Sequence, residues 1–236
     1  MRLPNGLSEE EHAEMQSRKK ERMQKYHEKE ILKTRLRRIF WLGIAGFVLL
    51  IDQLSKWYVL EQVMRPARYS VEGPNFFEWY LRKPIGFPFS QIEITSYFNL
   101  VIAWNPGVSF SMFNNIGAYG PYILSGLSLI IATIFLIWLW TSKQHIHAIC
   151  CALVIGGALG NVVDRLRYGA VIDFLDFHIG DHHWPAFNVA DMAIVCGVVL
   201  LIFVSLFFDI KTKQRYRGHA KRRRAFKKFL SERFGI

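Results

Sequence analysis

Four apolar stretches set the limits on what this chain can fold into. They run roughly from Ile39 to Leu60, Ala118 to Trp140, Ile146 to Val163 and Val189 to Phe208. Each approaches the ~20 helical residues that cross a bilayer. In lipid, backbone N–H and C=O groups must be satisfied inside the segment, so such stretches fold as helices. The flanks are the opposite in character. Residues 1–38 hold 11 Lys/Arg against 7 Asp/Glu, and residues 209–236 hold 11 against 2. The expectation is an all-α membrane protein whose four-span domain, 39–208, lies between a charged extension, 1–38, and a basic tail, 209–236. The first span is not read as a cleaved signal peptide, because its charged leader is too long and no small-residue cleavage site follows.

Charge orients the spans. The link after the second span carries Lys143, segment 61–117 balances four basic against four acidic residues, and 164–188 has four acidic against two basic. The positive-inside rule places both termini and the Lys143 link in the cytoplasm, with 61–117 and 164–188 on the outer face. The run Lys221-Arg222-Arg223-Arg224 in the tail then reads as a topology signal touching anionic lipid. Nucleic acid is not expected as a partner, since no base-reading fold accompanies the charge. Ser8 followed by Glu11 opens a solvated, charged helix over residues 8–38. Cys150, Cys151 and Cys196 all fall within spans and read as small packing residues, not as a disulfide framework or zinc site.

The outer segment carries a strand pattern. Ile92, Ile94, Phe98, Leu100, Ile102 and Trp104 alternate with Glu93, Thr95, Tyr97 and Asn99, which predicts a small half-buried sheet within about 65–115. Residues 65–90, with Pro66, Pro74, Pro84 and Pro88, read as loop. Segment 169–177 also alternates, placing Val171, Asp173, Leu175 and Phe177 on one face.

Polar residues gather at the span ends. Asp52 and Lys56, four apart on a helix, can pair. Asn105-Pro106-Gly107 closes the strand, with Asn105 able to bond a peptide backbone and Gly107 permitting positive φ. Gly156, Gly157, Ala158 and Gly160 allow close helix packing. Beyond them, Asn161, Asp164 and Arg165 share one turn, and Asp164 can hold Arg165 for a substrate carbonyl or lipid headgroup. Asp173 and Asp191 lie at boundaries of apolar segments, where a lone carboxylate is costly and usually functional. Asn188 is placed to cap the fourth helix, with Asp191 in its first turn. Two neighbouring carboxylates can share one proton and act as an acid–base pair, the chemistry of an aspartic protease. His178, His182 and His183 lie nearby in a loop without metal-ligand spacing, so no metal is expected. A proton or ion relay through Asp52, Asp164, Asp173 and Asp191 is the competing class, but it needs ionisable groups through the membrane's depth, and these cluster toward the outer half.

Taken in order, these clusters resemble signal peptidase II, the bacterial lipoprotein signal peptidase. The resemblance rests on Asp52-Gln-x-x-Lys56, Asn105-x-Gly107-x-x-Phe110-Ser111, Gly156-Gly157-Ala158-x-Gly160-Asn161-x-x-Asp164-Arg165, Gly169-x-Val171-x-Asp173-Phe174 and Pro185-x-Phe187-Asn188-x-Ala190-Asp191, and spans roughly 40–208. It implies a four-helix aspartic endopeptidase of the bacterial inner membrane, with a small sheet on the periplasmic side and no cofactor. Its substrate would be a membrane-embedded prolipoprotein bearing diacylglycerol on its lipobox cysteine, cut just before that cysteine. The family's catalytic aspartates map onto Asp173 and Asp191. Its supporting polar residues map onto Asp52, Lys56, Asn105, Asn161, Asp164, Arg165 and Asn188, with Gly107 beside them. A monomer is expected. Pro106 and Val108-Ser109 depart from the usual motif, segment 56–105 is longer than usual through an insertion around 65–90, and both charged termini are extended.

Overall fold

The computed structural model describes residues 9–82, 86–107, 119–142 and 144–209. The chain divides into two compact units, Met1–Gly43 and Ile44–Ile236. In the first, helix α1 (Glu9–Trp57) begins with exposed i,i+4 ion pairs, Glu14–Arg18 at 2.6 Å and Glu21–Lys25 at 2.5 Å. Pairs of this kind are solvated and contribute little to stability.

The second unit contains the rest of α1, which passes into a π-helical stretch, Tyr58–Met64. Then come α2 (Arg65–Tyr69), α3 (Phe76–Leu81), strands β1 (Ser90–Thr95) and β2 (Phe98–Asn105), α4 (Gly120–Thr141) and α5 (His145–Tyr168). Strands β3 (Val171–Ile179) and β4 (His182–His183) precede α6 (Val189–Val204), which ends in a π-helical turn, Ser205–Asp209. Among the described residues, four helical segments are long and apolar enough to cross a membrane: Ala13–Tyr69, Gly120–Thr141, His145–Tyr168 and Val189–Phe207. The chain is therefore an all-α membrane protein with four candidate spans and a small antiparallel sheet.

Helix α5 is the central one. Its span is 72% buried, against 28% or less for the others. Small residues make this possible. A side chain at Gly156 would sit 2.5 Å from the Ala45 carbonyl of α1, and one at Gly157 would sit 2.3 Å from the Ala190 carbonyl of α6. Close backbone approach of this kind is how helices pack in lipid, where burial of apolar surface gives no driving force. The helix also runs on to Tyr168, five residues past the expected end, so Asp164, Arg165 and Arg167 sit on it.

The sheet has the order β1-β2-β3-β4, all antiparallel. The alternation over 92–104 predicts one continuous strand, but a turn at Ser96-Tyr97 splits it into a hairpin. The face assignment changes with it, for Asn99 and Val101 are buried. Segment 65–90 is more ordered than its prolines suggest. Pro66 starts α2, where its missing N–H costs nothing, and the Asn75 side chain caps α3 by accepting from the Glu78 amide at 3.0 Å. Beneath the sheet, Leu60, Met64, Trp79, Phe87, Ile102 and Phe174 form the core that seats it on the end of the first span. Lys143, Ser8, the Val108-Ser109 and Phe110-Ser111 parts of the motif that begins at Asn105, and residues 210–236 of the basic tail lie outside the described residues.

Candidate active site

The geometry begins with a β-bulge. Strands β2 and β3 pair Leu100 with Leu175, but Ala103 with Asp173 and Asn105 with Val171. The one-residue shift between Leu100 and Ala103 exchanges the faces of β2 beyond it. Asn105 thereby points to the same side as Val171 and Asp173. Its Nδ2 donates to Asp173 Oδ2 at 3.0 Å. The orientation of that amide is fixed from behind, because the Gly107 N–H donates to Asn105 Oδ1 at 2.8 Å. Gly107 has φ +92°, and a Cβ there would fall 1.8 Å from Leu124 Cδ1, so glycine is required.

Asn188 caps α6 as expected. Its Oδ1 accepts from the Asp191 N–H at 3.0 Å, and Asp191 Oδ2 accepts from the Asn188 N–H at 3.3 Å, a reciprocal capping box. The same side chain donates from Nδ2 to Asp173 Oδ1 at 2.8 Å. Asn161, on α5, donates from Nδ2 to Asp191 Oδ1 at 2.8 Å. Each oxygen of both carboxylates therefore accepts at least one N–H, and Asn188 touches both aspartates. Burial, then the nearby Asp191 charge, push the Asp173 carboxyl up to about 7 against the lowering effect of the Asn105 and Asn188 donors. A pair of carboxylates in which one holds its proton near neutrality can act as acid and base at once.

A buried charge cluster stands behind the pair. Lys56 Nζ lies 2.7 Å from Asp52 Oδ2 and 2.7 Å from Asp164 Oδ2, with all three side chains fully buried. The expected Asp52–Lys56 pair is present, but Asp164 joins it and does not serve Arg165. Gln53 Nε2 adds a bond to Asp164 Oδ1 at 2.8 Å. Both carboxylates also hold backbone, Asp52 through its other oxygen and Asp164 through the oxygen that meets Lys56. Asp52 Oδ1 accepts from the Ala190 N–H at 2.9 Å, and Asp164 Oδ2 accepts from the Ile172 N–H at 3.1 Å. Ala190 and Ile172 are the residues immediately before Asp191 and Asp173. One cation on α1 thus fixes the backbone at both aspartates.

Arg165 is partly buried, and its Nε has no hydrogen-bond partner among the described residues. The ten residues singled out from the sequence (Asp52, Lys56, Asn105, Gly107, Asn161, Asp164, Arg165, Asp173, Asn188 and Asp191) thus lie on three of the spans, α1, α5 and α6, and on strands β2 and β3 with the turn after β2.

Two features escaped the sequence reading. Asp176, buried on β3, accepts from Asn99 Nδ2 at 2.9 Å and bonds His183 Nδ1 at 2.9 Å. Burial pushes its carboxyl up, but these partners outweigh burial and hold it below the usual range. His178 and His183 lie in paired strands and not in a loop, their rings stacked at 4.7 Å. Arg167 donates to the Trp79 and Tyr80 carbonyls at 3.0 and 3.2 Å and lies over both rings, holding α3 to the end of α5. The aromatic-rich run 76–80 was the available signal for the second, and Asn99 on an otherwise apolar strand for the first. Among the described residues, no group of three or more His, Cys, Asp or Glu is arranged to hold a metal ion.

Residues 44–207 match the family described as Signal peptidase (SPase) II. A lipoprotein signal peptidase of Ralstonia nicotianae is 40% identical over 168 residues, covering 70% of this chain and 83% of the relative. One from Francisella tularensis subsp. novicida is 49% identical over 125 residues, covering 52% of this chain and 78% of the relative. Two solved structures of bacterial membrane enzymes, determined by the in meso method, each align with a TM-score of 0.52 at 23% identity. They cover 71% and 72% of this chain and 87% and 94% of their own, and at that identity the likeness concerns the fold.

Proposed function

The chain belongs to the signal peptidase II family, and we propose that it is an aspartic endopeptidase that removes the signal peptide from diacylglyceryl-modified prolipoproteins, with Asp173 and Asp191 as the catalytic dyad. The observation that carries this reading is the shared asparagine scaffold around two carboxylates, one of which holds its proton up to about 7.

In the proposed reaction Asp173 begins protonated and Asp191 ionised. Asp191 takes a proton from a water whose oxygen attacks the scissile carbonyl, and Asp173 gives its proton to the carbonyl oxygen as the tetrahedral diol forms. Asp191 then passes its proton to the leaving nitrogen. Asp173 recovers one from the diol as the C–N bond breaks, which restores the starting state. The pair titrates as one coupled unit. Asn105, Asn161 and Asn188 use their amide N–H groups on the carboxylates, so their role is to hold the dyad and not the peptide. Arg165, whose buried Nε–H meets no partner among the described residues, is the group that receives a substrate carbonyl. The Lys56 cluster positions the dyad through the Ile172 and Ala190 amides. No metal or cofactor takes part.

The proposed setting is the bacterial inner membrane, with both termini cytoplasmic and the dyad near the periplasmic face, where the signal peptide's end emerges. The chain acts as a monomer on its membrane-embedded substrate, and its basic tail contacts anionic lipid. The test is digestion of a diacylglyceryl prolipoprotein by the purified chain in detergent or vesicles, read by mass spectrometry. The expected product begins at the lipidated cysteine. A parent protein that never cuts, or that cuts elsewhere, overturns the reading and makes ion-flux assays the next step.

A further inference from the structure

We propose that a groove between α1 and α3 holds one acyl chain of a bilayer phospholipid, with the lipid's phosphate against Arg82. The inference rests on the membrane spans and not on the proteolytic reading.

The groove encloses about 440 Å³. Its floor comes from Gly46, Leu50 and Gln53 of α1, its roof from Phe77 and Leu81 of α3, and its back wall from Val163 of α5. Gly46 opens the floor, since a Cβ there would meet nothing within 4 Å. Gln53 turns its amide away from the groove onto Asp164 and Asp52, at 2.8 and 3.1 Å. With the Tyr80 ring the one other polar-bearing side chain among the described residues that line it, most of the surface left is hydrocarbon.

Phe77 and Leu81, four apart on one face of α3, are 75% and 83% exposed. Leaving two such side chains in water forfeits the gain of removing their apolar surface from it, so this face of α3 belongs in lipid. The groove is also continuous with the outward face of the first span, where Phe47 and Leu50 are exposed. A bilayer lipid therefore has lateral access without leaving the hydrocarbon. At the roof's end, Arg82 follows Leu81, and its ion pair with Glu78 is long, at 3.8 Å, with the Arg82 side chain largely exposed. A phosphate at that level meets an available cation while its chain runs toward Gly46, about 10 Å deeper along α1 by helical rise.

The position of Val163 separates this groove from the carboxylates. It lies about 160° around α5 from Asn161, which bonds Asp191. The two sites therefore lie on different sides of the central helix, and the groove is suited to a resident lipid more than to the substrate's own chains. Arg167 holds α3 from one side. The lipid supports it from the other.

The test is photolabelling. The protein is reconstituted in phosphatidylethanolamine/phosphatidylglycerol vesicles containing phosphatidylglycerol with a diazirine in its acyl chain, irradiated, and mapped by mass spectrometry. Adducts at Leu49, Leu50, Phe77 and Leu81 should exceed those at the outward-facing Ile137 and Val199 by about tenfold, a preference of ~1.4 kcal/mol. Leu50→Trp, which fills the groove, and Arg82→Gln should each lower the groove adducts while leaving those at Ile137 unchanged, which also reports that the variants are folded. Equal labelling of groove and outward faces overturns the proposal. So does groove labelling abolished by stoichiometric unlabelled diacylglyceryl prolipoprotein, because the groove would then belong to the substrate. Neither result depends on cleavage, so Asp191→Asn should label as the parent does.

Discussion

Replacing Lys56 by methionine tests the foundation of the site. The change keeps the length of the side chain and removes its charge. Lys56 Nζ lies 2.7 Å from a carboxylate oxygen of both Asp52 and Asp164, and all three side chains are shut off from solvent. Removing one member of a buried ion pair costs about 3–5 kcal/mol, because the partner charge remains without compensation. Two carboxylates are stranded here, and they also hold the amides of Ala190 and Ile172. We therefore expect a loss at the upper end of that range. For a chain of this length each kcal/mol moves the melting temperature by about 2–4 °C, giving a drop of roughly 10–20 °C. The assay is thermal unfolding in detergent, followed by tryptophan fluorescence. Adding Asp52→Asn and Asp164→Asn to Lys56→Met should recover at least half of the loss, since the amide oxygens still accept from Ala190 and Ile172 while the stranded charges are gone. A single Lys56→Met variant within about 1 kcal/mol of the parent would refute the reasoning, for it would mean that the cluster carries no uncompensated charge.

Further outcomes follow from the same geometry. Asp173 holds its proton more tightly in the folded chain, up to about 7, than an ordinary carboxyl at 3.8. Its contribution to stability is therefore full at low pH, below the ordinary value, and is lost as pH rises through about 7. Denaturation measured across that window should show a slope that Asp173→Asn flattens. Asn188→Ala should lose roughly 0.5–2 kcal/mol from the missing helix cap and about 1–3 more from the buried Asp173 oxygen left without its donor, read as a lower melting temperature together with lost cleavage. Gly107→Ala should destabilise the chain by about 1–3 kcal/mol through its left-handed φ, and should lower turnover more than substrate affinity, because Asn105 loses the bond that aims it at Asp173.

Much of this is legible in the sequence alone. The spans follow from hydropathy alone, since lipid admits no other backbone solution. The Asn188 cap and the Asp52–Lys56 pair follow from spacing on one helix, a local rule that tertiary context did not override. What was hidden is what depends on register and on contacts between distant elements. The period-two pattern over 92–104 continues through the turn at Ser96-Tyr97, so it could not announce a hairpin, and it placed Asn99 on the wrong face. The bulge that brings Asn105 beside Asp173 leaves no mark in the sequence. Asp164 and Arg165 are chain neighbours, which invited a pairing between them. On a helix, successive residues point about 100° apart, and Asp164 turns instead to a lysine on another span. Arg167 reaches Trp79 and Tyr80 across nearly ninety residues, a contact only the folded chain reveals.

The most direct measurement of the central claim is prolipoprotein turnover by Asp173→Asn, Asp191→Asn and the double variant, each confirmed folded by its melting temperature. If the two carboxylates act as one acid–base unit, each single variant falls to the level of the double variant, because either loss disables the whole device. If either single variant keeps near-normal turnover, or if the two losses simply add, the aspartates do not work as a dyad and the account fails.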